Sequence, residues 1–480
     1  MAFLLPAALC IVSGYLIVAL GWRRRAFVLS DALLRVSLSV GYGLGIFSVS
    51  FFLARVFGLS HLVGVDVSVL ALLIAAQLLL RGRNRVTDSL SSTTESFDLP
   101  PWLRGVAAAG FAIALCAALY SAVLRAIARP HGEGWDAYAI WNLHARFLFV
   151  GGDHWRDGFS TLIPWSHPDY PLLLPAAVAH FWSYLGHEAP AVPAIIGLAF
   201  TLSTLGLLFT SLDLTRGRMS AMLGGLALVS TPFFIEQGTS QYADVPLSFF
   251  FLAAIVLLFL HGDRSSSDDP APRRGLLVLA GLAAGFAAWT KNEGLLFLFA
   301  VVVAQLPATI RRKSQAESGE EPAGRWIALA VLFLAMTPAL VLIAWFKHSW
   351  APAGELFSSP PEMLHWILTP GRYWTILQWY AKEFLRFGHW FLVPGTLLLA
   401  VLCFLTIAGP GRVKGRRLGP ALWTLAFTLA GYFFIYVITP YDLHWHLRFS
   451  LNRLFLQLWP CAIFLFFLHL GPKNRAIVSK

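Results

Sequence analysis

The chain has 480 residues, of which 57% are hydrophobic and only 13% are charged, and its mean hydropathy is +0.67. Because soluble domains carry about 25% charged residues, this composition excludes a soluble protein of one or two domains. The apolar residues form continuous blocks of roughly 17–25 residues, which can cross a bilayer as helices and do not alternate as barrel strands do. The sequence therefore predicts an all-α polytopic membrane protein.

The net charge of +11 comes from short basic clusters between the apolar blocks. Such clusters mark loops on the cytoplasmic side of a membrane, so they do not indicate a nucleic-acid partner. The clusters are Arg23–Arg25, Arg81–Arg85, Arg216 with Arg218, Arg273 with Arg274, Arg311–Lys313, Arg412–Arg417 and Lys473–Lys480.

These clusters set the direction of each crossing and predict 13 transmembrane helices, with the N-terminus outside and the C-terminus inside. In chain order, the predicted crossings are 3–20, 34–54, 62–81, 102–124, 190–212, 219–235, 245–261, 275–289, 294–310, 326–346, 390–408, 421–438 and 453–470. The Ser- and Thr-rich segment 86–100 is predicted to be a cytoplasmic linker. Segments 138–150 and 171–187 fit no crossing and are predicted to be outer juxtamembrane helices.

Five polar segments all fall on the outer side under this topology. Ionisable groups near a membrane are costly, so their placement is informative. The segments are Gly132–Tyr138, His167–Pro171, Gln241–Pro246, Thr290–Gly294 and Tyr441–Arg448, and Arg453 follows the last of them.

The outer segments combine cations with carboxylates. Lys291, Arg448 and Arg453 run against the usual charge bias of outer loops, and an anionic ligand such as a phosphate would explain them. Transfer of a sugar from a lipid phosphate needs one carboxylate to take the proton of the acceptor hydroxyl. Because the leaving phosphate is already anionic, it needs cations and not the second carboxylic acid that glycoside hydrolysis uses.

The motifs resemble those of the GT-C class of membrane glycosyltransferases, which includes protein O-mannosyltransferases, lipid A aminoarabinose transferases and Rgt-like bacterial enzymes. The similar pieces are Trp135–Tyr138, His167–Leu172, Tyr242–Leu247 and Thr290–Gly294, within about residues 100–310. Many relatives carry two adjacent acidic residues at the first motif, whereas here Glu133 precedes Asp136 by three positions.

The resemblance implies an inverting enzyme that uses a polyprenyl-phosphate-linked sugar, with Asp136 as catalytic base. It also implies that Asp244 shapes the site and that Lys291 lies near the lipid phosphate. The predicted substrate-binding residues are Glu133, His167, Asp169, Tyr170, Asp244, Lys291, Glu293, His444, His446, Arg448 and Arg453. No residue is assigned as a metal ligand, and a divalent metal ion as cofactor is left open.

The chain divides into three predicted parts. They are 1–100, with extra transmembrane helices and the linker; 101–310, a GT-C-like catalytic module with a large outer loop at 125–188; and 311–480, with outer loops at 347–389 and 439–452. The expected partners are the polyprenyl-phosphate-sugar donor, a glycan, lipid or protein acceptor, and membrane lipid. The expected location is a bacterial inner or plasma membrane, with the site on the non-cytoplasmic side.

Two other functions are compatible with parts of the pattern. A transporter or flippase of lipid-linked sugars would place charges near the membrane midplane, in broken helices. An envelope assembly protein without chemistry would have no need for outer Lys and Arg beside acidic residues. Because the polar motifs lie at the ends of the apolar blocks, the sequence favours the transferase.

Overall fold

The computed structural model of the protein describes residues 3–22, 28–80, 101–262, 271–310, 322–354, 356, 359–390 and 418–469. Within these ranges all regular secondary structure is helical, which confirms the predicted all-α class. The α-helices are α1 (Leu4–Gly21), α2 (Leu29–Val56), α3 (Leu62–Leu79), α4 (Pro101–Ala128), α5 (Asn142–Val150), α6 (Leu173–Leu185), α7 (Ala191–Arg216), α8 (Arg218–Val229), α9 (Pro232–Thr239), α10 (Asp244–Gly262), α11 (Ala271–Thr290), α12 (Asn292–Ile310), α13 (Pro322–Ser349), α14 (Pro360–Ile367), α15 (Pro370–Arg386), α16 (Gly419–Ile438) and α17 (Leu443–His469). A π-helix covers Ala137–Trp141, and 3-10 helices cover Gly152–Phe159 and Pro164–Ser166.

Long apolar helices dominate the described part of the chain. Nine of the described helices are long and apolar enough to cross a membrane, and α8 with α9 would make a tenth. α11 and α12 match the two short predicted crossings, and both are apolar. The predicted crossing 390–408, after its first residue, and the predicted linker 86–100 lie outside the described residues. The count of 13 therefore stays a prediction.

α3 and α4 face outward along most of their length. Large apolar side chains such as Leu72 and Ile113 are each 70% exposed on these two helices. Apolar surface of this extent is not stable in water, and contact with lipid tails explains it. The two helices therefore support the polytopic membrane class that the composition predicts.

α10 is the central helix of the fold. It packs against α7, α11 and α17, and every residue from Asp244 to Leu257 is buried. Its sequence is apolar around the whole circumference, which is typical of a helix enclosed by others. Because Asp244 is the first residue of this helix, the sequence places a carboxylate at the end of the core.

One predicted crossing is interrupted, and the predicted turn between two others is very short. The predicted crossing 219–235 is not one straight helix, because α8 ends at Val229 and α9 begins at Pro232 with a bend of 66° between them. Proline has no backbone N–H group to donate to the preceding turn, which explains the break. Between α11 and α12, Lys291 alone is non-helical, and Gly294 packs against the Ala287 carbonyl where a side chain would collide.

Two other segments differ from their predicted settings. Residues 173–185 are helical as predicted, but α6 packs against α2 and α5, and its first ten residues are buried. Within it, the buried His180 lies 2.7 Å from Oδ2 of the buried Asp66 on α3, so each polar group has a partner inside the protein. The predicted outer loop 439–452 is shorter, because α17 begins at Leu443 and continues without interruption through Arg453.

The predicted outer loop 347–389 contains the amphipathic helices α14 and α15. Ile376 of α15 is buried, whereas Trp374, Leu377 and Phe384 are at least half exposed. Near the start of α15, Arg372 donates to the carbonyl oxygens of Tyr436 and Thr439 at 3.1 and 3.0 Å. This contact fixes α15 beside the end of α16, where terminal carbonyl groups lack helical partners.

Candidate active site

Arg453 joins the two acidic residues that the sequence singles out. Its Nη1 atom lies 2.7 Å from Oδ2 of Asp136, and its Nε atom lies 2.7 Å from Oδ2 of Asp244. The three residues come from the loop after α4, the start of α10 and the third turn of α17. Arg453, which follows the fifth predicted outer segment, therefore joins residues of two of the others.

Asp244 is fully buried and has partners on both oxygens. Besides Arg453, its Oδ1 atom accepts from Gln457 at 2.6 Å and from the Lys291 ammonium at 3.3 Å. Gln457 in turn accepts from the Tyr432 hydroxyl at 2.6 Å, which orients its amide group. A carboxylate at 0% exposure remains charged only when it is paired in this way, so Asp244 organises the base of the site.

Lys291 lies between two carboxylates. Its Nζ atom is 2.6 Å from Oε1 of Glu293 and 3.3 Å from Oδ1 of Asp244. Burial on its own would lower the pKa of Lys291, but the charges of Asp244 and Glu293 outweigh it and raise the pKa above the usual value. The ammonium group therefore stays protonated at the site.

The loop that carries Asp136 has an unusual backbone. Gly132 and Gly134 adopt positive φ angles of +87° and +77°, which favour glycine, and a Cβ at Gly134 would meet the Tyr242 hydroxyl. That hydroxyl also bonds the Asp136 backbone, and burial followed by the charge of Asp136 raises the pKa of Tyr242 to about 12. The Tyr242 ring lies 4.7 Å below the Arg453 guanidinium. Tyr242 thus positions both members of the Asp136–Arg453 pair.

Asp136 is the accessible member of the group. Its side chain is 22% exposed, whereas Asp244 is 0% exposed. The π-helix Ala137–Trp141 begins directly after it, and such π segments are frequent at functional sites. Of the carboxylates that contact Arg453, Asp136 is therefore the one that a ligand can reach.

A second polar group adjoins the first. Asp169 accepts from Asn292 at 2.8 Å and from Lys347 at 3.3 Å, and Lys347 also bonds Oδ1 of Asn292 at 2.9 Å. The ring of His167 stacks on Tyr170 with centroids 4.7 Å apart. Because Asn292 separates Lys291 from Glu293 in the chain, this group supports the turn that carries both of them.

The remaining predicted residues lie apart from Arg453 or at its edge. Glu133 pairs with Arg125 at 2.9 Å and with Arg129, in a separate ionic group. His446 bonds Thr439 at 2.9 Å and faces the Tyr436 ring at 4.9 Å. His444 contacts the ring of Trp379, and the Arg448 guanidinium lies over the ring of Phe449.

Sequence reasoning missed Lys347, Asn292 and Gln457 as members of the site. The sequence does contain a signal for Lys347, because this residue is a cation at the outer end of a predicted crossing. Gln457 follows Arg453 by four residues, which places both on one helix face. In the described part of the chain, no three His, Cys, Asp or Glu side chains come together in a way that could hold a metal ion.

Comparison with known proteins agrees with the motifs. Residues 183–351 match the family model of dolichyl-phosphate-mannose-protein mannosyltransferase, which covers just over a third of the chain. This match confirms the predicted resemblance to the GT-C class, and it includes Asp244, Lys291, Glu293 and Lys347. No curated protein sequence matches the chain significantly.

One solved structure is also similar, the crystal structure of ArnT from Cupriavidus metallidurans bound to undecaprenyl phosphate. Its sequence identity with this chain is 16% and its TM-score is 0.45. The similarity covers 75% of this chain and 59% of ArnT, so the chain spans about three fifths of the length of that relative.

Proposed function

We propose that this protein transfers a sugar from a polyprenyl-phosphate-linked donor to an acceptor hydroxyl, with inversion at the anomeric carbon. One observation carries the proposal: an accessible carboxylate, Asp136, lies 2.7 Å from Arg453, in a group that also contains the Lys291 ammonium. A carboxylate beside two cations fits a reaction that needs one base and an anionic leaving group.

In the proposed reaction, Asp136 accepts the proton of the acceptor hydroxyl as its oxygen attacks the anomeric carbon. The bond between that carbon and the phosphate oxygen breaks, and its electron pair stays on the phosphate. Arg453 and Lys291 face the negative charge that develops there. The products are the glycosylated acceptor and the polyprenyl phosphate.

The proposed setting is an integral membrane protein of a bacterial inner or plasma membrane. The contacts around Arg453 bring Asp136, Asp244 and Lys291 into one group, which supports a position for all three on the same side of the membrane. The basic clusters of the sequence assign that side to the exterior. The proposed acceptor is a glycan, a lipid or a protein of the cell envelope.

The alternative is transport of the lipid-linked sugar, and the bent pair α8–α9 is the feature that favours it. At the bend, however, the Thr231 hydroxyl donates to the Ala227 carbonyl and accepts from the Trp459 indole at 3.1 Å. Protein groups therefore satisfy the break. The nearby charge of Glu236 on α9 also has protein partners, Arg125 at 3.1 Å and His389 at 3.0 Å. The transferase remains the better explanation.

Mass spectrometry of envelope lipids and glycans tests the proposal. A strain that lacks the gene should lose one sugar, and the wild-type gene should restore it. The variant Asp136→Asn should not restore it, although it is expressed at the normal level. Glu188→Gln serves as the matched control, because Glu188 also accepts from an arginine, Arg146, at 2.7 Å. Restoration by Asp136→Asn would remove Asp136 from the mechanism and favour the transporter.

A further inference from the structure

Arg453 holds its two carboxylates through different nitrogen atoms. Nε bonds Asp244 and Nη1 bonds Asp136, each at 2.7 Å. A guanidinium group is planar and presents its donors in a fixed fork, so one edge can stay bonded while the other exchanges its partner. The Arg453 side chain is 16% exposed, which leaves part of it accessible.

The two carboxylates that bind the Arg453 guanidinium group differ in how firmly the protein holds them. Asp244 is fully buried, begins the central helix and pairs with Lys291 as well as with Arg453. Asp136 lies on a glycine-containing loop, is 22% exposed, and within the described residues its one ion pair is the contact with Arg453. Separating Asp244 from Arg453 would leave a buried charge, whereas Asp136 can turn to solvent or to a substrate.

The charges of the site conflict with its proposed use. Asp136, Asp244 and Glu293 carry three negative charges, whereas Arg453 and Lys291 carry two positive charges. The site therefore already has one negative charge in excess. A donor phosphate would add further negative charge, so it needs a cation that gives up one of its present partners.

We propose that Arg453 senses the donor in the transferase described above. The phosphate of the polyprenyl-phosphate-sugar takes the Nη1 edge of Arg453 from Asp136, while the Nε edge remains on Asp244. The released Asp136 carboxylate then accepts the proton of the acceptor hydroxyl. The base is therefore engaged in a salt bridge until the donor is bound, and the donor binds before the acceptor is activated.

Binding of a polyprenyl monophosphate to the purified full-length protein in detergent tests this exchange. Because Asp136 competes with the phosphate for Arg453, Asp136→Asn should bind the probe about fivefold more tightly than wild type. Arg453→Lys should bind it about tenfold more weakly, because an ammonium lacks the second edge. In the double variant, the gain from Asp136→Asn should disappear, because it acts through Arg453.

The controls separate this inference from the proposed function. Glu188→Gln should leave probe affinity unchanged, and thermal unfolding in detergent should show that each variant is folded. If Asp136→Asn does not fold, Asp136→Ser removes the same competitor. A wild-type protein that binds the polyprenyl phosphate no better than the uncharged polyprenol would contradict the proposed donor. If the wild type prefers the phosphate but Asp136→Asn binds it equally or more weakly, the exchange at Arg453 is refuted.

Discussion

The Nζ atom of Lys347 lies 2.7 Å from the backbone carbonyl oxygen of Asp169. This bond joins the end of α13 to the loop that precedes α6. Lys347 also bonds Oδ1 of Asn292, the residue between Lys291 and Glu293. One lysine thus connects two predicted motifs, and its removal should affect the site without removing a group that contacts Arg453.

We expect Lys347→Gln to lower kcat/KM about tenfold, because the turn that holds Lys291 loses a charge-assisted support. If Lys347 acts by positioning Lys291, the loss should come mainly from a higher KM for the donor. Initial rates at varied donor concentration measure this split. Lys382→Gln is the control, because Lys382 on α15 lies over the Trp379 ring at 4.8 Å and away from that turn. Equal effects of both variants would refute the positioning role.

Asp244→Asn should destabilise the protein by about 3 kcal/mol, because Arg453 and Lys291 would each lose a buried counter-charge. Chemical unfolding of the purified variant in detergent measures the change in free energy of unfolding. Glu188→Gln breaks a half-exposed pair with Arg146 and should cost below about 1 kcal/mol. A similar loss in the two variants would mean that burial of Asp244 does not matter.

The sequence predicts which residues share the outer side, because basic clusters and apolar blocks are local features. It identifies Asp136, Asp244, Lys291 and Arg453 for that reason. It does not predict that Arg453 binds both acids, since the pairing depends on how α10 and α17 pack. The early start of α17 was missed because polar residues such as His446 lower the hydropathy of its first turns, although they do not interrupt the helix.

The break between α8 and α9 had a sequence signal that the block of apolar residues concealed. Pro232 stands inside the predicted crossing 219–235, where an interior proline breaks or kinks a helix. The burial of α6 had no signal in the sequence, since an apolar helix of 13 residues suits a membrane surface and a protein interior equally well. Only the packing of α6 against α2 and α5 decides between them.

His144 should make stability depend on pH below neutrality. It is 1% exposed on α5, and burial lowers its pKa to about 4 from an ordinary value near 6.5. Since the folded value is the lower one, its contribution is complete above pH 6.5 and is lost as the pH falls from 6.5 towards 4, by about 3 kcal/mol at most.

Thermal unfolding between pH 7 and pH 4 measures this dependence. His144→Phe should flatten the acid side of the profile, because the phenyl ring has no proton to gain. His154→Asn is the control, because the His154 side chain, in the 3-10 helix Gly152–Phe159, is 84% exposed. A wild-type slope that persists unchanged in His144→Phe would assign it to other groups.

Gly134→Ala should reduce activity far more than it reduces stability. At a φ angle of +77° a methyl group costs about 1 kcal/mol in backbone strain, and here it would also meet the hydroxyl of Tyr242. Because Tyr242 supports the Asp136 backbone and the Arg453 guanidinium, the loop must shift, and we expect at least a tenfold loss of turnover.

Gly186 provides the matched control for this substitution. Its φ angle is +75°, and a Cβ there would have no neighbour within 4 Å. Gly186→Ala should therefore show the same loss in thermal stability and near-normal turnover. Sugar-transfer rates and unfolding temperatures of the two variants, measured side by side, separate strain from crowding. If Gly134→Ala retains activity equal to that of Gly186→Ala, the contact with Tyr242 does not position the base.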